Sequence, residues 1–252
     1  MLLTRLDERG EMASNAHFIR SVRILWDSVS RDSYVREIGA LRSLPLAFTS
    51  NVTIFVGENG TGKSTLLEAM AVAYGLNPEG GSRNYAFSTH DTHSDLHEAT
   101  FLERNLGQPW GAYFLRAESF YNVSSASEEY DRWYWGKTRR LHELSHGEAF
   151  MAVVEQDFRE NGLCFLDEPE AALSVSRQLT LLLQLHRLAT HGAQLIIATH
   201  SPVIMALPGA QILRFDEDGI EEVAYEDTEA WQTMSLFVND RERLLQRLLA
   251  DD

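Results

Sequence analysis

The chain has little of what marks secreted, membrane-spanning or generally nucleic-acid-binding proteins. Its 252 residues include one cysteine, Cys164, which excludes an internal disulfide and favours a buried thiol in a reducing compartment. No apolar run approaches the ~18 residues that a membrane span needs, and the N-terminal residues lack the apolar core of a signal peptide. We therefore expect a cytoplasmic protein that does not insert into a membrane.

Basic residues are also scarce, since Lys and Arg number 22 against 37 Asp and Glu, giving a net charge of −15. This balance argues against a generally basic nucleic-acid surface, although a local one is compatible with it. Lys137, Arg139 and Arg140 form a basic cluster beside aromatic residues, with a solvated helix end as the alternative interpretation. A hydrophobic content of 44% suits one large α/β domain, or a core with a smaller lobe.

A glycine-rich segment follows an apolar strand. Residues 57–65 read Gly-Glu-Asn-Gly-Thr-Gly-Lys-Ser-Thr after the run Val52-Thr-Ile-Phe-Val56. This is the G-x-x-x-x-G-K-S pattern of a phosphate-binding P-loop, whose glycines let several backbone N–H groups face one anion. We expect Lys63 to reach the β- and γ-phosphates and Ser64 to bind Mg²⁺. The expected nucleotide-binding residues are Gly57, Asn59, Gly60, Thr61, Gly62, Lys63, Ser64 and Thr65.

An acidic motif ends a second apolar strand, where residues 163–170 read Leu-Cys-Phe-Leu-Asp-Glu-Pro-Glu. Asp167 is placed to hold Mg²⁺, directly or through water. Glu168, one residue on, is placed to act as general base on an attacking water. A strand capped by surface acids is the alternative, but the P-loop upstream favours the catalytic interpretation.

Hydrophobic periodicity predicts the elements around these motifs. Near-continuous apolar strands that alternate with helices indicate parallel strands covered on both faces. Residues 79–100 give no clear assignment, and 127–140 read as partly helical. The predicted strands are 17–27, one or two within 44–56, 110–120, 163–167 and 194–199; the predicted helices are 64–74, 147–159, 174–190 and one or two within 229–249; residues 210–224 read as a hairpin.

A further motif, Leu144-Ser-His-Gly-Glu148, opens the helix before the acidic strand. It resembles the Leu-Ser-Gly-Gly-Gln signature of the ATP-binding-cassette (ABC) superfamily. The resemblance implies that Ser145, Gly147 and Glu148 approach the γ-phosphate held by the other subunit of a dimer. A capping box, in which Ser145 and Glu148 merely begin the helix, is the alternative. His146 departs from the signature, because it replaces the first glycine.

Two more segments extend this resemblance. His200, in Ala198-Thr-His-Ser-Pro202, is similar to the superfamily's switch histidine, which contacts the γ-phosphate and the attacking water. Tyr113-Phe-Leu-Arg-Ala-Glu-Ser-Phe120 takes the place of the Q-loop but has no glutamine. Glu118 is the candidate for contacting Mg²⁺ or the lytic water, and Arg116 could equally face the nucleotide.

From Val52 to Pro202 the chain thus resembles a stand-alone ABC-type ATPase, closer to AAA-family ATPases of the RecF, SMC and OLD type than to transporter cassettes. The resemblance implies an α/β P-loop fold with a mixed, largely parallel sheet flanked by helices. Its P-loop core would span 17–76 and 161–252, and a smaller signature-bearing lobe 77–160. The implied activity is ATP hydrolysis in an ATP-sandwiched homodimer that acts in DNA repair, genome maintenance or defence. Alternatives are a regulatory or toxin-type module that controls a protein partner, the ATPase subunit of a transporter, and a P-loop kinase.

Three other features have competing interpretations. The segment His90-Asp-Thr-His-Ser-Asp-Leu-His97 matches none of the usual zinc spacings, so we expect its histidines to pair with acids rather than to bind metal. The aromatic run Tyr130-Asp-Arg-Trp-Tyr-Trp135 could stack on bases or pack the lobe. Tyr34 and Phe48 are candidates for stacking on the adenine ring.

Overall fold

The computed structural model describes residues 17–82, 96–117, 146–171 and 173–250. Its strands are β1 (Ile19–Ile24), β2 (Leu46–Ala47), β3 (Val52–Val56), β4 (Gly81–Ser82), β5 (Thr100–Arg104), β6 (Ala112–Arg116), β7 (Leu163–Asp167), β8 (Gln194–Ala198), β9 (Gln211–Phe215) and β10 (Ile220–Glu222). Its helices are α1 (Lys63–Tyr74), α2 (Leu96–Ala99), α3 (His146–Asp157), α4 (Val175–Thr190), α5 (Pro202–Met205), α6 (Glu229–Asn239) and α7 (Arg241–Leu249). The predicted strands and helices that fall in these ranges are present, with ends displaced by a few residues.

Seven strands form the main sheet, in the order β10-β9-β3-β8-β7-β6-β4. The central strands β9, β3, β8, β7 and β6 run parallel, and the edge strands β10 and β4 pair antiparallel. Every residue of β3, β7 and β8 is buried. Helices or other elements therefore cover both faces, which explains the continuous apolar runs. The mixed, largely parallel sheet confirms the predicted fold class.

Side chains of the central strands point alternately into two hydrophobic cores. Phe55 packs on one face with α1 and β1, whereas the preceding Ile54 packs on the other face with α3 and α4. Ile196 and Ile197 of β8 divide in the same way. This two-sided burial fixes the position of the strand ends that carry the acidic and histidine motifs.

A second, three-stranded antiparallel sheet has the order β2-β1-β5. Gln194, which is wholly buried, joins it to the main sheet. The backbone N–H of Ile19 donates to Oε1 of Gln194 (2.9 Å), and Nε2 of Gln194 donates back to the Ile19 carbonyl (2.8 Å). Strand β5 was not predicted, because it follows a Gly-, Ser- and His-rich stretch without clear periodicity.

The main sheet includes strands from the range assigned to the smaller lobe. β4 and β6 both lie within 77–160 and pair in the main sheet, while α3 packs on α4. Residues 83–95 and 118–145 lie outside the described residues, so the division into core and lobe stays a prediction. Among the described helices, none is long and apolar enough to cross a bilayer.

Candidate functional site

The P-loop, the acidic motif and the histidine motif meet at one edge of the main sheet. In the parallel pairings, Asp167 at the end of β7 lies opposite Arg116 of β6 on one side and Ala198 of β8 on the other. The P-loop leaves β3, which pairs with β8. The carboxyl ends of parallel strands form the usual ligand-binding edge of an open α/β sheet. This edge is therefore the candidate site.

The P-loop is wrapped around the ammonium group of Lys63. Nζ donates to the carbonyl oxygens of Gly57 (2.7 Å) and Glu58 (2.6 Å), and Lys63 is only 5% exposed. Gly57 has a φ of +133°, and a Cβ there would lie 2.2 Å from the Phe215 carbonyl oxygen. Burial lowers the pKa of Lys63, while the negative charges of Glu168, Asp167 and Glu58 oppose that shift. The loop thus presents a buried cation beside the N-terminus of α1.

Ser64 and Asp167 bring two oxygen ligands together. The Ser64 hydroxyl donates to Oδ1 of Asp167 at 2.7 Å, and Asp167 is 6% exposed. Mg²⁺ prefers such hard oxygen ligands, and it usually takes one or two from protein and the rest from phosphate and water. The described residues hold no larger His, Cys, Asp and Glu cluster for a metal. The donor set therefore fits Mg²⁺ bound together with a nucleotide.

Glu168 and His200 lie side by side at this edge. Glu168 has a φ of +47°, and its N–H donates to the Ala198 carbonyl (2.9 Å). Its Oε1 lies 3.9 Å from Nε2 of His200, and both side chains are about half exposed (46% and 41%). A left-handed backbone at a non-glycine residue is uncommon and often marks a functional position. The pair is placed to exchange protons with a solvent molecule.

Glu170, which the sequence analysis did not single out, holds the loop that carries His200. Its Oε1 accepts hydrogen bonds from the backbone N–H groups of His200 (2.6 Å) and Ser201 (3.0 Å). The Ser201 hydroxyl in turn donates to Oε1 of Gln178 (2.7 Å). The sequence signal for Glu170 was only that it is the third acid of the Asp-Glu-Pro-Glu run. Its partner His200 lies about 30 residues further along the chain, so the sequence did not indicate the contact.

Arg116 lies beside the acidic strand rather than at the mouth of the site. Its Nη1 lies 2.6 Å from Oε2 of Glu68 on α1, and its Nε lies 3.8 Å from Oδ2 of Asp167. These contacts place the guanidinium next to the candidate metal ligands. Glu118, the other candidate in this segment, lies outside the described residues.

A cleft of about 330 Å³ opens at the P-loop and is lined by Tyr34, Ile38, Asn59, Gly60, Gly62, Lys63, Ser64, Thr65 and Glu168. Tyr34 is 57% exposed, whereas Phe48 is 5% exposed and packs in the core. Phe48 is therefore wrong as a candidate for adenine stacking, and stacking by Tyr34 stays a prediction. Thr61 shapes the loop, since its hydroxyl donates to the Glu58 carbonyl (2.9 Å).

The described residues of the signature motif do not line this cleft. None of residues 146–148 is among its described lining. Gly147 is buried in α3, and Oε1 of Glu148 lies 3.5 Å from Nη2 of Arg177 on α4. Ser145 lies outside the described residues. Of the two described residues that were predicted to contact a neighbour's phosphate, Gly147 is buried and Glu148 is exposed.

Comparison with known families gives two matches. Residues 34–132 match a family model described as "AAA domain", and residues 149–206 match one described as "AAA domain, putative AbiEii toxin, Type IV TA system". The first match contains the P-loop, and the second contains Asp167, Glu168 and His200. No curated protein matches the chain significantly in sequence.

Similar solved structures include two of low sequence identity. One is described as "An inward-facing conformation of a putative metal-chelate type ABC transporter": it is 16% identical with a TM-score of 0.49, and the match covers 86% of this chain and 87% of that one. The other is the SMC head domain from Thermotoga maritima, 14% identical with a TM-score of 0.42, matched over 81% of this chain and 98% of that one.

Proposed function

We propose that this chain, whose residues 34–132 and 149–206 match AAA-domain family models, binds and hydrolyses Mg²⁺-ATP as a switch. One observation carries the proposal: a single sheet edge holds the buried Lys63, the hydrogen-bonded pair Ser64 and Asp167, and the adjacent pair Glu168 and His200. Phosphate binding, metal binding and proton transfer require these groups together.

The phosphates are held by the P-loop and the start of α1. The unpaired N–H groups and the dipole of a helix N-terminus attract phosphate, and the Lys63 ammonium adds a full positive charge. Ser64 and Asp167 would hold Mg²⁺ through their side-chain oxygens. Bound there, Mg²⁺ would offset the charge that develops on the β- and γ-phosphates. Tyr34, which lines the cleft and is 57% exposed, would stack on the base.

Hydrolysis then requires a water molecule aimed at the γ-phosphorus. Glu168 lines the cleft and accepts the proton of this water as general base. His200, whose imidazole lies 3.9 Å from the Glu168 carboxylate, orients the water and contacts the transferring phosphoryl group. The products are ADP and inorganic phosphate.

We propose that the cleft is completed by a second copy in a head-to-tail dimer. The side of the cleft opposite the P-loop is not supplied by residues 146–148 of the same chain. In this dimer, Ser145, Gly147 and Glu148 would approach the γ-phosphate held by the neighbour, as the signature motif implies; within the single chain, Gly147 is buried and Glu148 lies 3.5 Å from Arg177. ATP would favour closure, since it gains these contacts only in the dimer.

Replacement of the general base tests both the chemistry and the dimer. Glu168→Gln keeps the shape of the side chain but removes its basicity, so the variant should bind ATP, hydrolyse it at least ~100-fold more slowly and accumulate as a dimer. Turnover and light scattering with Mg²⁺-ATP measure these effects. Glu160→Gln, on an exposed residue paired with Arg187, is the control and should match the wild type. Normal turnover by Glu168→Gln would refute the role of Glu168, and a monomer under saturating ATP would refute the sandwich.

For the process that the switch drives, we propose DNA-associated work in repair, genome maintenance or defence. The second candidate is a toxin-type or regulatory module that acts on a protein partner. It is favoured by the family model that residues 149–206 match, whose description names an AbiEii toxin. DNA-stimulated turnover would support the first candidate. A stable protein partner that co-purifies with the Glu168→Gln dimer, without DNA stimulation, would support the second.

A further inference from the structure

Arg116 and Glu68 form an ion pair directly behind the candidate metal ligand. Arg116 ends β6 in register with Asp167 on β7, so its side chain emerges at the same sheet edge. Nη1 lies 2.6 Å from Oε2 of Glu68, and Nε lies 3.8 Å from Oδ2 of Asp167. The side chains of Arg116, Glu68 and Asp167 are 23%, 14% and 7% exposed. Because these side chains are largely buried, solvent and salt screen their charges only weakly.

The guanidinium is held close to Asp167 without a direct hydrogen bond. Nε of Arg116 is buried and has no hydrogen-bond partner among the described atoms. The short contact to Glu68 draws the other end of the guanidinium away, toward α1. A buried donor without an acceptor is unfavourable, so Nε would move to Asp167 if Glu68 released it.

A positive charge in this place opposes a divalent cation on the same carboxylate. At a few ångströms, in a partly buried site, two like charges repel by amounts that alter a binding constant several-fold or more. Glu68 reduces this repulsion in two ways: it partly neutralises the guanidinium, and it holds the guanidinium back from Asp167.

We propose that Arg116 is a built-in competitor for the cation that Ser64 and Asp167 bind, and that Glu68 sets the strength of the competition. Arg116 is thus a positioning residue that acts through Asp167 and sets the Mg²⁺ concentration at which the site is half saturated. The inference rests on the proposed function, since it concerns the metal that accompanies ATP. It differs from a purely structural role, in which Arg116 orients Asp167 and so assists metal binding.

The two roles predict opposite signs for the same substitution. The test measures binding of a fluorescent, non-hydrolysable ATP analogue as Mg²⁺ is titrated, and again in EDTA. Arg116→Gln should lower the half-saturating Mg²⁺ concentration about tenfold, and Arg116→Lys, which keeps the charge, should stay close to the wild type. Arg20→Gln, which removes an exposed charge paired with Glu103, is the control and should change nothing. A higher Mg²⁺ requirement in Arg116→Gln, or one equal to that of Arg20→Gln, would overturn the proposal.

Glu68→Gln provides an independent test through a double-mutant cycle. It should raise the half-saturating Mg²⁺ concentration several-fold in the wild-type background and have little effect in the Arg116→Gln background. An equal effect in both backgrounds would mean that Glu68 acts on the cation directly, which contradicts the proposal. If Arg116→Gln does not fold, the single variant Glu68→Gln still tests the proposal, because an unchanged or lower half-saturating Mg²⁺ concentration in it would overturn the role of Glu68. Failure of the wild type to bind the analogue with or without Mg²⁺ would instead refute the proposed function.

Discussion

The Glu170 carboxylate offers the sharpest test of how the site is held together. Its Oε1 accepts two backbone hydrogen bonds, from His200 at 2.6 Å and Ser201 at 3.0 Å. These bonds connect the turn after β7 to the turn after β8 and keep His200 within 3.9 Å of Glu168. Glu170→Ala removes both bonds without altering a residue that lines the cleft.

The stability cost can be bounded from the contacts. A hydrogen bond to a charged acceptor contributes about 1.5–3 kcal/mol, but both donors have partial substitutes. The Ser201 N–H also lies 3.0 Å from Oγ1 of Thr199, and His200 is an exposed residue, so water can replace Glu170 as the acceptor of its N–H. Oε2 is a buried oxygen without a hydrogen-bond partner among the described atoms, which is unfavourable. Its removal therefore offsets part of the lost free energy of unfolding. We expect a net loss of about 2 kcal/mol, which corresponds to a fall of roughly 4–8 °C in Tm for a protein of this size.

The catalytic effect should exceed the effect on nucleotide binding. A released loop would leave His200 free to move by an ångström or more, so kcat should fall about tenfold while ATP affinity stays within about twofold. Urea unfolding, steady-state turnover and binding of an ATP analogue measure the three quantities. Glu170→Gln keeps an acceptor oxygen and should lose only about half as much stability, and Glu160→Ala is the surface control.

Two results would refute this reasoning. One is a Glu170→Ala protein as stable and as active as the Glu160→Ala control. The other is a Glu170→Gln protein as impaired as Glu170→Ala, since the acceptor would then not be what matters.

Two further predictions concern groups away from the cleft. Burial raises the pKa of Cys164 from 9.0 to about 12; the thiol should therefore resist alkylation at pH 8 until the protein is unfolded. Because the unfolded thiol ionises first, stability should fall above pH 9 by about 1.4 kcal/mol per unit more than in Cys164→Ala, measured by urea unfolding. Burial also raises the pKa of Asp157 from 3.8 to about 6, against the opposing charge of Arg159. The wild-type protein should therefore lose folding stability as the pH rises from about 4 to about 6, because the buried Asp157 carboxyl must ionise. Asp157→Asn should be more stable than the wild type by about 1–2 kcal/mol at pH 7 but not at pH 3.5. Equal stability of the two proteins at pH 7 would contradict this.

Local patterns made much of the fold predictable. The strands β3, β7 and β8 are buried on both faces, so each reads as an apolar run that ends in a recognisable motif. The P-loop, Asp167 and Glu168 follow those runs directly, and a parallel sheet brings its strand ends to one edge. Such features require only short segments and one topological rule, so the sequence was sufficient to anticipate their convergence.

The long-range contacts that hold the site residues in place were not predictable from the sequence. Arg116 contacts Glu68, 48 residues earlier, and Glu170 contacts the backbone of His200, 30 residues later. An isolated arginine or glutamate has many possible partners, and no periodicity selects among them. The choice depends on strand register and on the left-handed turn at Glu168, which has a φ of +47°. Strand β5 escaped prediction for a related reason, because its pairing with β1 rather than its own sequence defines it.

The charges at the sheet edge indicate why ATP and Mg²⁺ would have to bind together. Asp167 and Glu168 both act electrostatically on the ammonium of Lys63, while Arg116, paired with Glu68, lies 3.8 Å from Asp167. The γ-phosphate of free ATP would meet two carboxylates there, with Lys63 and the N-terminus of α1 as the attracting groups. A divalent cation alone would meet Lys63 and Arg116. Each ligand reduces the repulsion that the other experiences, so the proposed function requires cooperative binding of metal and nucleotide, and Arg116 strengthens that requirement by penalising the cation when no phosphate is present.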